Sequence, residues 1–209
     1  MERPLVINLF GGPGCGKSTT AAGVFCILKL HNLEVEYVDE FCKGLVWEER
    51  HFTFENQLYL FTKQQHRIWR AANKVDAVIT DSPVLLSCVY RRHETSDAFK
   101  QLVLETHNSY NSLNFLLKRR KKYCTIGRNE TEQEAKILDC VIKETLEKYK
   151  IPYYEVSDTY EAINEIAGII LDKFNKGIML VVSERIKQNA IKSLRDGAGF
   201  INVQSQSRQ

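Results

Sequence analysis

No apolar run in this sequence comes near the roughly 18 residues that a membrane-spanning helix needs, which excludes a helical membrane protein. Nor does any close CxxC pair occur among Cys15, Cys26, Cys42, Cys88, Cys124 and Cys140, which argues against a zinc site and against a disulfide framework; reduced thiols are the expectation. The apolar stretch 4–10 lacks a basic leader and runs straight into a glycine loop, so it does not read as a secretion signal, and a cytoplasmic protein is expected. Internal repeats, low-complexity tracts and linkers rich in Pro, Gly and Ser are missing too. With 209 residues, 44% hydrophobic and 26% charged, the chain is expected to form one globular domain over 1–176, followed by a partly flexible extension, 177–209. The net charge of +3 says less than its distribution, because Lys118, Arg119, Arg120, Lys121 and Lys122 are five basic residues in a row.

What is present is an alternation of short apolar segments with helical patterns, the signature of βα units around a parallel sheet. Strands are expected at 5–10, 35–38, 77–80, 113–117 and 153–156, each rich in Val, Ile, Leu or Tyr as strands buried on both faces are. Helices fill the intervals at 17–30, 54–72, 97–107, 131–149 and 159–174. Thr131 with Glu134, and Asp158 with Glu161, place a side-chain acceptor at an N-cap and a carboxylate three residues on. The fold class is therefore α/β: a five-stranded parallel sheet flanked by helices, with a short basic lid.

Gly11-Gly12-Pro13-Gly14-Cys15-Gly16-Lys17-Ser18-Thr19 fills every fixed position of G-x-x-x-x-G-K-[ST], between an expected buried strand and an expected helix. Glycines let successive backbone amides turn inward around phosphates without Cβ clashes, and the helix N-terminus adds partial positive charge. Gly12, Pro13, Gly14, Cys15, Gly16, Lys17, Ser18 and Thr19 are thus expected to cradle a nucleoside triphosphate. Lys17 would reach the β- and γ-phosphates and the Ser18 hydroxyl would ligate Mg²⁺. Cys15 reads as a small filler within the loop.

Mg²⁺ between two phosphates also needs a carboxylate, and Asp81, which ends Val78-Ile79-Thr80 at the carboxyl edge of a strand, is the expected one. Asp81-Ser82-Pro83 equally suits a helix start with Pro83 in the first position. Another strand delivers Asp39 and Glu40 to the same edge, where an acceptor hydroxyl would meet the γ-phosphate. Either can accept or orient the hydroxyl proton; Glu40 is preferred, and the choice of base stays open among Asp39, Glu40 and Asp81. The basic run and Arg128, beside Gly127, suggest a lid that covers the triphosphate, excludes water and sets a guanidinium on the transferring group. Arg119 and Arg91 are candidate substrate contacts, with a solvated charge run as the plain alternative. Gln57, on a helix that also carries Gln64 and Gln65, can read a base edge, and Trp47, Phe52 and Trp69 are candidates for stacking on it.

Taken together, Gly11 to Thr19, Tyr37-Val38-Asp39-Glu40, Phe54-Glu55-Asn56-Gln57-Leu58, Ile79-Thr80-Asp81-Ser82-Pro83 and Gly127-Arg128-Asn129-Glu130-Thr131-Glu132 resemble small P-loop kinases of the thymidylate kinase and deoxynucleoside kinase type. Within that group the sequence is similar to bacterial nicotinamide riboside kinases and phage-encoded P-loop kinases, over roughly residues 5–156. The resemblance implies ATP as donor, with Mg²⁺, and transfer of its γ-phosphate to an alcohol of a nucleoside-type acceptor, by a monomer or homodimer. Some phage enzymes that look like this phosphorylate hydroxymethyluracil within DNA, and other relatives act on free nucleosides or nucleotides, so the acceptor, free or within DNA, stays open. Thr80-Asp81-Ser82 stands where deoxynucleoside kinases carry an acidic residue, Arg and Ser. A regulatory P-loop NTPase, whose hydrolysis drives a conformational switch, is the competing reading.

Overall fold

The computed structural model describes residues 4–90, 96–120, 123–124, 130–157 and 160–174. Five strands, β1 (Leu5–Phe10), β2 (Val35–Val38), β3 (Ala77–Thr80), β4 (Asn111–Lys118) and β5 (Tyr154–Ser157), form one sheet in the order β2-β3-β1-β4-β5, with every neighbouring pair parallel. The helices among the described residues are α1 (Lys17–Leu30), α2 (Phe41–Trp47), α3 (Gln57–Ala72), α4 (Asp97–Asn108), α5 (Glu132–Lys148) and α6 (Tyr160–Lys173), with 3-10 turns at His51–Glu55 and Val84–Cys88. The chain divides into two units, Met1–Ala167 and Gly168–Gln209. Of the second, only 168–174 are described, and 168–173 belong to α6. The expected domain end at 176 and the extension 177–209 lie outside the described residues.

β1 is the middle strand, covered on both faces, and all six of its residues are buried. Side chains alternate along it. Val6 and Phe10 join Val78 and Leu116 against Phe61 and Ile68 of α3, Phe99 and Val103 of α4, and Ile142 and Leu146 of α5. α1 packs on β1, β2 and β3, burying Ala21, Val24 and Leu28. The one polar residue of β1, Asn8, is answered inside the sheet: its amide donates to Asn114 Oδ1 at 3.0 Å, and Asn114 Nδ2 donates to the Pro152 carbonyl at 2.9 Å. A buried polar pair is tolerated when its donors are satisfied in this way.

Several boundaries differ from the sequence expectation. The helix expected from 54 begins at Gln57, because Asn56 caps it by accepting the Tyr59 N–H at 3.0 Å and residues 51–55 form a 3-10 turn. Pro83 does not open an α-helix. Thr80 Oγ1 accepts the Ser82 N–H at 3.1 Å, Pro83 keeps an extended ψ of 139°, and a 3-10 turn follows from Val84. β4 is longer than expected, starting at Asn111, and β5 lies one residue later than expected. The Thr131–Glu134 capping box is present at the start of α5, whereas Asp158 lies outside the described residues.

Candidate active site

In a parallel sheet all strands leave by the same edge, and ligands gather there. Register pairs Thr80 with both Asn8 of β1 and Val38 of β2, so the Gly11 loop, Asp39-Glu40 and Asp81 emerge side by side. The loop turns into α1 through Gly16 at φ 93°, a left-handed conformation that L side chains disfavour. α1 then begins on Lys17 with no side-chain cap and no acid in its first turn, so its orphan amides are left for an anion. The Lys17 ammonium donates to the Gly11 carbonyl at 2.7 Å and the Gly12 carbonyl at 3.0 Å, which fixes it beside the loop. Cys15 is fully buried, and its Sγ fills the space beside Gly11, in keeping with a filler role.

A cavity of about 510 Å³ opens along this edge, within the size range of small-molecule sites. Pro13, Gly14 and Gly16 to Thr19 line one part of it. Glu40, Asp81 and Glu130 supply carboxylates, and Phe54, Gln57, Leu60, Leu86 and Tyr90 continue the wall beyond them. Asp81 is 6% exposed. Its Oδ2 accepts the Tyr37 hydroxyl at 3.0 Å, while Oδ1 is buried with no hydrogen-bond partner among the described residues. Burial raises the Asp81 pKa; the Tyr37 hydrogen bond and the Lys17 charge pull the other way. Glu40 is raised as well, first by burial and then by Asp81 and Glu130, against the pull of Lys17. Burial, with the Asp81 charge behind it, holds Tyr37 as a phenol, and burial with Glu40 and Glu130 pushes the Cys42 thiol up to about 12.

The two candidate carboxylates after β2 separate. Glu40 lines the cavity, whereas Asp39 is exposed outside it, with Oδ1 accepting Arg67 Nη1 at 2.7 Å. Gln57 lines the cavity as expected. Gln64 lines it too, but its amide is committed to structure: it accepts the Phe41 N–H at 2.9 Å and donates to the Asp39 carbonyl at 3.3 Å. Trp47, Phe52 and Trp69 are 60%, 84% and 55% exposed and do not line the cavity; its aromatics are Phe54 and Tyr90. Arg119 is not a lining residue either, because Asp139 of α5 holds it by a 2.7 Å ion pair. Lys118 pairs with Glu155 at 2.6 Å. Arg91 and Arg128 lie outside the described residues.

The sequence reading missed Tyr37, Glu130 and Asp139. Tyr37 could have been found as the polar residue of β2 that faces the β3 end. Asp139 shares a helical stripe with the buried Ala135, Ile142 and Leu146, and a carboxylate on an apolar stripe is itself a signal.

Ser18 and Asp81 line the same cavity, and the orphaned, buried Oδ1 of Asp81 is an oxygen in want of a partner; both fit Mg²⁺, a hard cation that takes oxygen ligands. Among the described residues no group of three or more His, Cys, Asp or Glu could hold a metal by itself. No helix among the described residues is long and apolar enough to cross a membrane.

A search of curated proteins gives no match. Among solved structures the chain is similar to the NadR protein in complex with NR, at TM-score 0.61 and 14% identity over 78% of this chain and 50% of that one. It thus spans half the length of that protein. It is also similar to deoxyadenosine kinase from M.mycoides with bound dATP, at TM-score 0.49 and 17% identity over 81% of this chain and 99% of that one. At 14% identity the likeness to the first of these speaks for the fold alone, a parallel α/β sheet flanked by helices. The AAA domain family model matches residues 6–162, the span that carries the sheet, the glycine loop and the cavity, and the chain belongs to that family.

Proposed function

We propose that this chain is an ATP-dependent phosphotransferase that passes the γ-phosphoryl group to a hydroxyl of a nucleoside-type acceptor. One observation carries the reading: a single cavity joins Lys17 and Ser18 of the loop to the buried Asp81 and the half-buried Glu40, then continues over Phe54, Gln57 and Leu86. A site for hydrolysis alone needs no second compartment, whereas phosphoryl transfer needs one for the acceptor.

In this reading the loop amides and Lys17 hold the phosphates of ATP, and Ser18 and Asp81 hold Mg²⁺. The ion, when bound, neutralises charge on the β- and γ-phosphates. Tyr37 fixes the Asp81 carboxylate by donating to Oδ2, so Oδ1, which has no hydrogen-bond partner among the described residues, would be the oxygen offered to the ion. Glu40 accepts the acceptor's hydroxyl proton as its oxygen bonds to the γ-phosphorus and the bond to the β–γ bridging oxygen breaks; its raised pKa suits it to hold that proton. Gln57 offers an amide to the acceptor, with Phe54 and Leu86 as apolar wall. Arg128 and Arg91 are proposed to complete the lid and the acceptor contacts.

A free nucleoside is the better supported acceptor. The electrostatic motive for a DNA strand, including one carrying a hydroxymethylated pyrimidine, was the basic run, and Lys118 and Arg119 of that run are taken up in ion pairs within the molecule. Thermal unfolding tests the reading. ATP with Mg²⁺ is expected to raise the midpoint of the native chain and not of Lys17→Ala, and one member of a nucleoside panel is expected to raise it further. Stabilisation by ATP alone, with no response to any nucleoside or to hydroxymethylated DNA, would favour the regulatory NTPase.

A further inference from the structure

Asp139 stands in the middle of α5, outside the cavity lining, yet its carboxylate contacts the phosphate loop directly. Its Oδ1 accepts the Gly12 N–H at 2.6 Å and Arg119 Nη2–H at 3.2 Å, while Oδ2 accepts Arg119 Nε–H at 2.7 Å. A Cβ on Gly12 would fall 2.6 Å from both Asp139 Oδ1 and the backbone carbonyl of Ala135, so the loop can lie this close to α5 only with glycine there. The Arg119 side chain is 9% exposed. Its Nη1 is buried without a hydrogen-bond partner among the described residues, and it lies 3.2 Å from where a Cβ on Gly14 would sit.

A carboxylate against an anion-binding loop is an electrostatic liability, because like charge across a site opposes the ligand. Here the guanidinium cancels it through two charge-assisted hydrogen bonds, a geometry that arginine supplies and lysine does not reproduce. The carboxylate in turn uses up the Gly12 amide and fixes Arg119 so that Nη1 stays on the Gly14 side of the loop.

We propose that Asp139 is a positioning residue for the nucleotide donor: one carboxylate ties the start of the phosphate loop to Arg119, and Arg119 neutralises that carboxylate so that a triphosphate can settle on the loop. This rests on the donor reading of the cavity given above. Asp139→Asn then acts on the donor and leaves the acceptor's KM unchanged. Arg119→Gln does more harm, since it leaves the Asp139 charge uncompensated beside the phosphates.

The test is calorimetric titration of the full chain with a non-hydrolysable ATP analogue and Mg²⁺. Native protein, Lys17→Ala, Arg119→Lys, Arg119→Gln, Asp139→Asn and the double variant Asp139→Asn/Arg119→Gln are compared, with unfolding midpoints recorded for each. Expected are weakening of roughly tenfold for Asp139→Asn and more for Arg119→Gln, the scale of a lost charge-assisted hydrogen bond. The double variant should bind several-fold tighter than Arg119→Gln, and Arg119→Lys should keep more affinity than Arg119→Gln. A double variant that binds no better than Arg119→Gln, or equal affinity for Arg119→Lys and Arg119→Gln, overturns the proposal even if Asp139→Asn fails to fold. Native protein that does not bind the analogue, or binds no better than Lys17→Ala, overturns the donor reading itself and this proposal with it.

Discussion

Asp39 and Glu40 are adjacent in the chain and differ in what surrounds them. Glu40 lines the cavity among Lys17, Asp81 and Glu130, while Asp39 pairs with Arg67 at the surface. Glu40→Gln is therefore expected to lower kcat by about 100-fold or more, the usual scale for a general base. Asp39→Asn, which loses only an exposed ion pair, should change it by about fivefold or less. Equal losses in steady-state kinetics would contradict this division. Tyr37 acts one step further out. Its hydroxyl donates to Asp81 Oδ2, and Tyr37→Phe removes that bond while keeping the ring beside Phe25. The Mg²⁺ concentration for half-maximal activity is expected to rise by about tenfold, as when an outer-shell partner of a metal ligand is lost; an unchanged Mg²⁺ requirement would remove Tyr37 from the site.

The elements that were legible are those whose own residues specify them. β1 and β3 read as short apolar runs because they are buried on both faces, and α5 announces its start through Thr131 and Glu134. α2 was not legible: it has seven residues, includes Gly44, and is pinned from outside by Gln64 of α3 accepting the Phe41 N–H. That contact is tertiary and leaves no local pattern. α4 carries a second feature that sequence does not disclose, His107, which is 3% exposed and whose pKa burial lowers from 6.5 to about 4. Between those values the unfolded chain binds more protons than the folded one, so acid favours unfolding. The stability that neutral His107 preserves is whole above about pH 6.5 and is lost progressively down to about pH 4, a drop of about 3 kcal/mol. Urea unfolding at pH 7 and pH 4.5 should show most of this drop in the native chain and much less of it in His107→Gln. Equal acid sensitivity in the two would show that the histidine is not its source.

For the whole molecule, strand order decides which parts of the site could be read in advance. The glycine loop is contiguous, so one stretch of sequence discloses it, and Asp81 and Glu40 follow from the rule that parallel strands deliver their carboxyl ends to one edge. Arg119 and Asp139 meet at Gly12 only because β4 lies beside β1 and α5 packs over that side, so residues 20 apart in the chain close on a third more than 100 positions away. For the same reason Lys118 and Arg119, which read as part of a solvent-facing basic lid, are held in pairs to Glu155 and Asp139. The central claim, that the cavity unites a donor loop with an acceptor compartment, is tested most directly by following the γ-phosphate of labelled ATP. Native protein and Lys17→Ala would be incubated with nucleosides, nucleotides, and DNA with or without hydroxymethylated pyrimidines. The account predicts label in a nucleoside-type acceptor, dependent on Mg²⁺ and absent with Lys17→Ala; label released only as inorganic phosphate, whatever acceptor is offered, would contradict it.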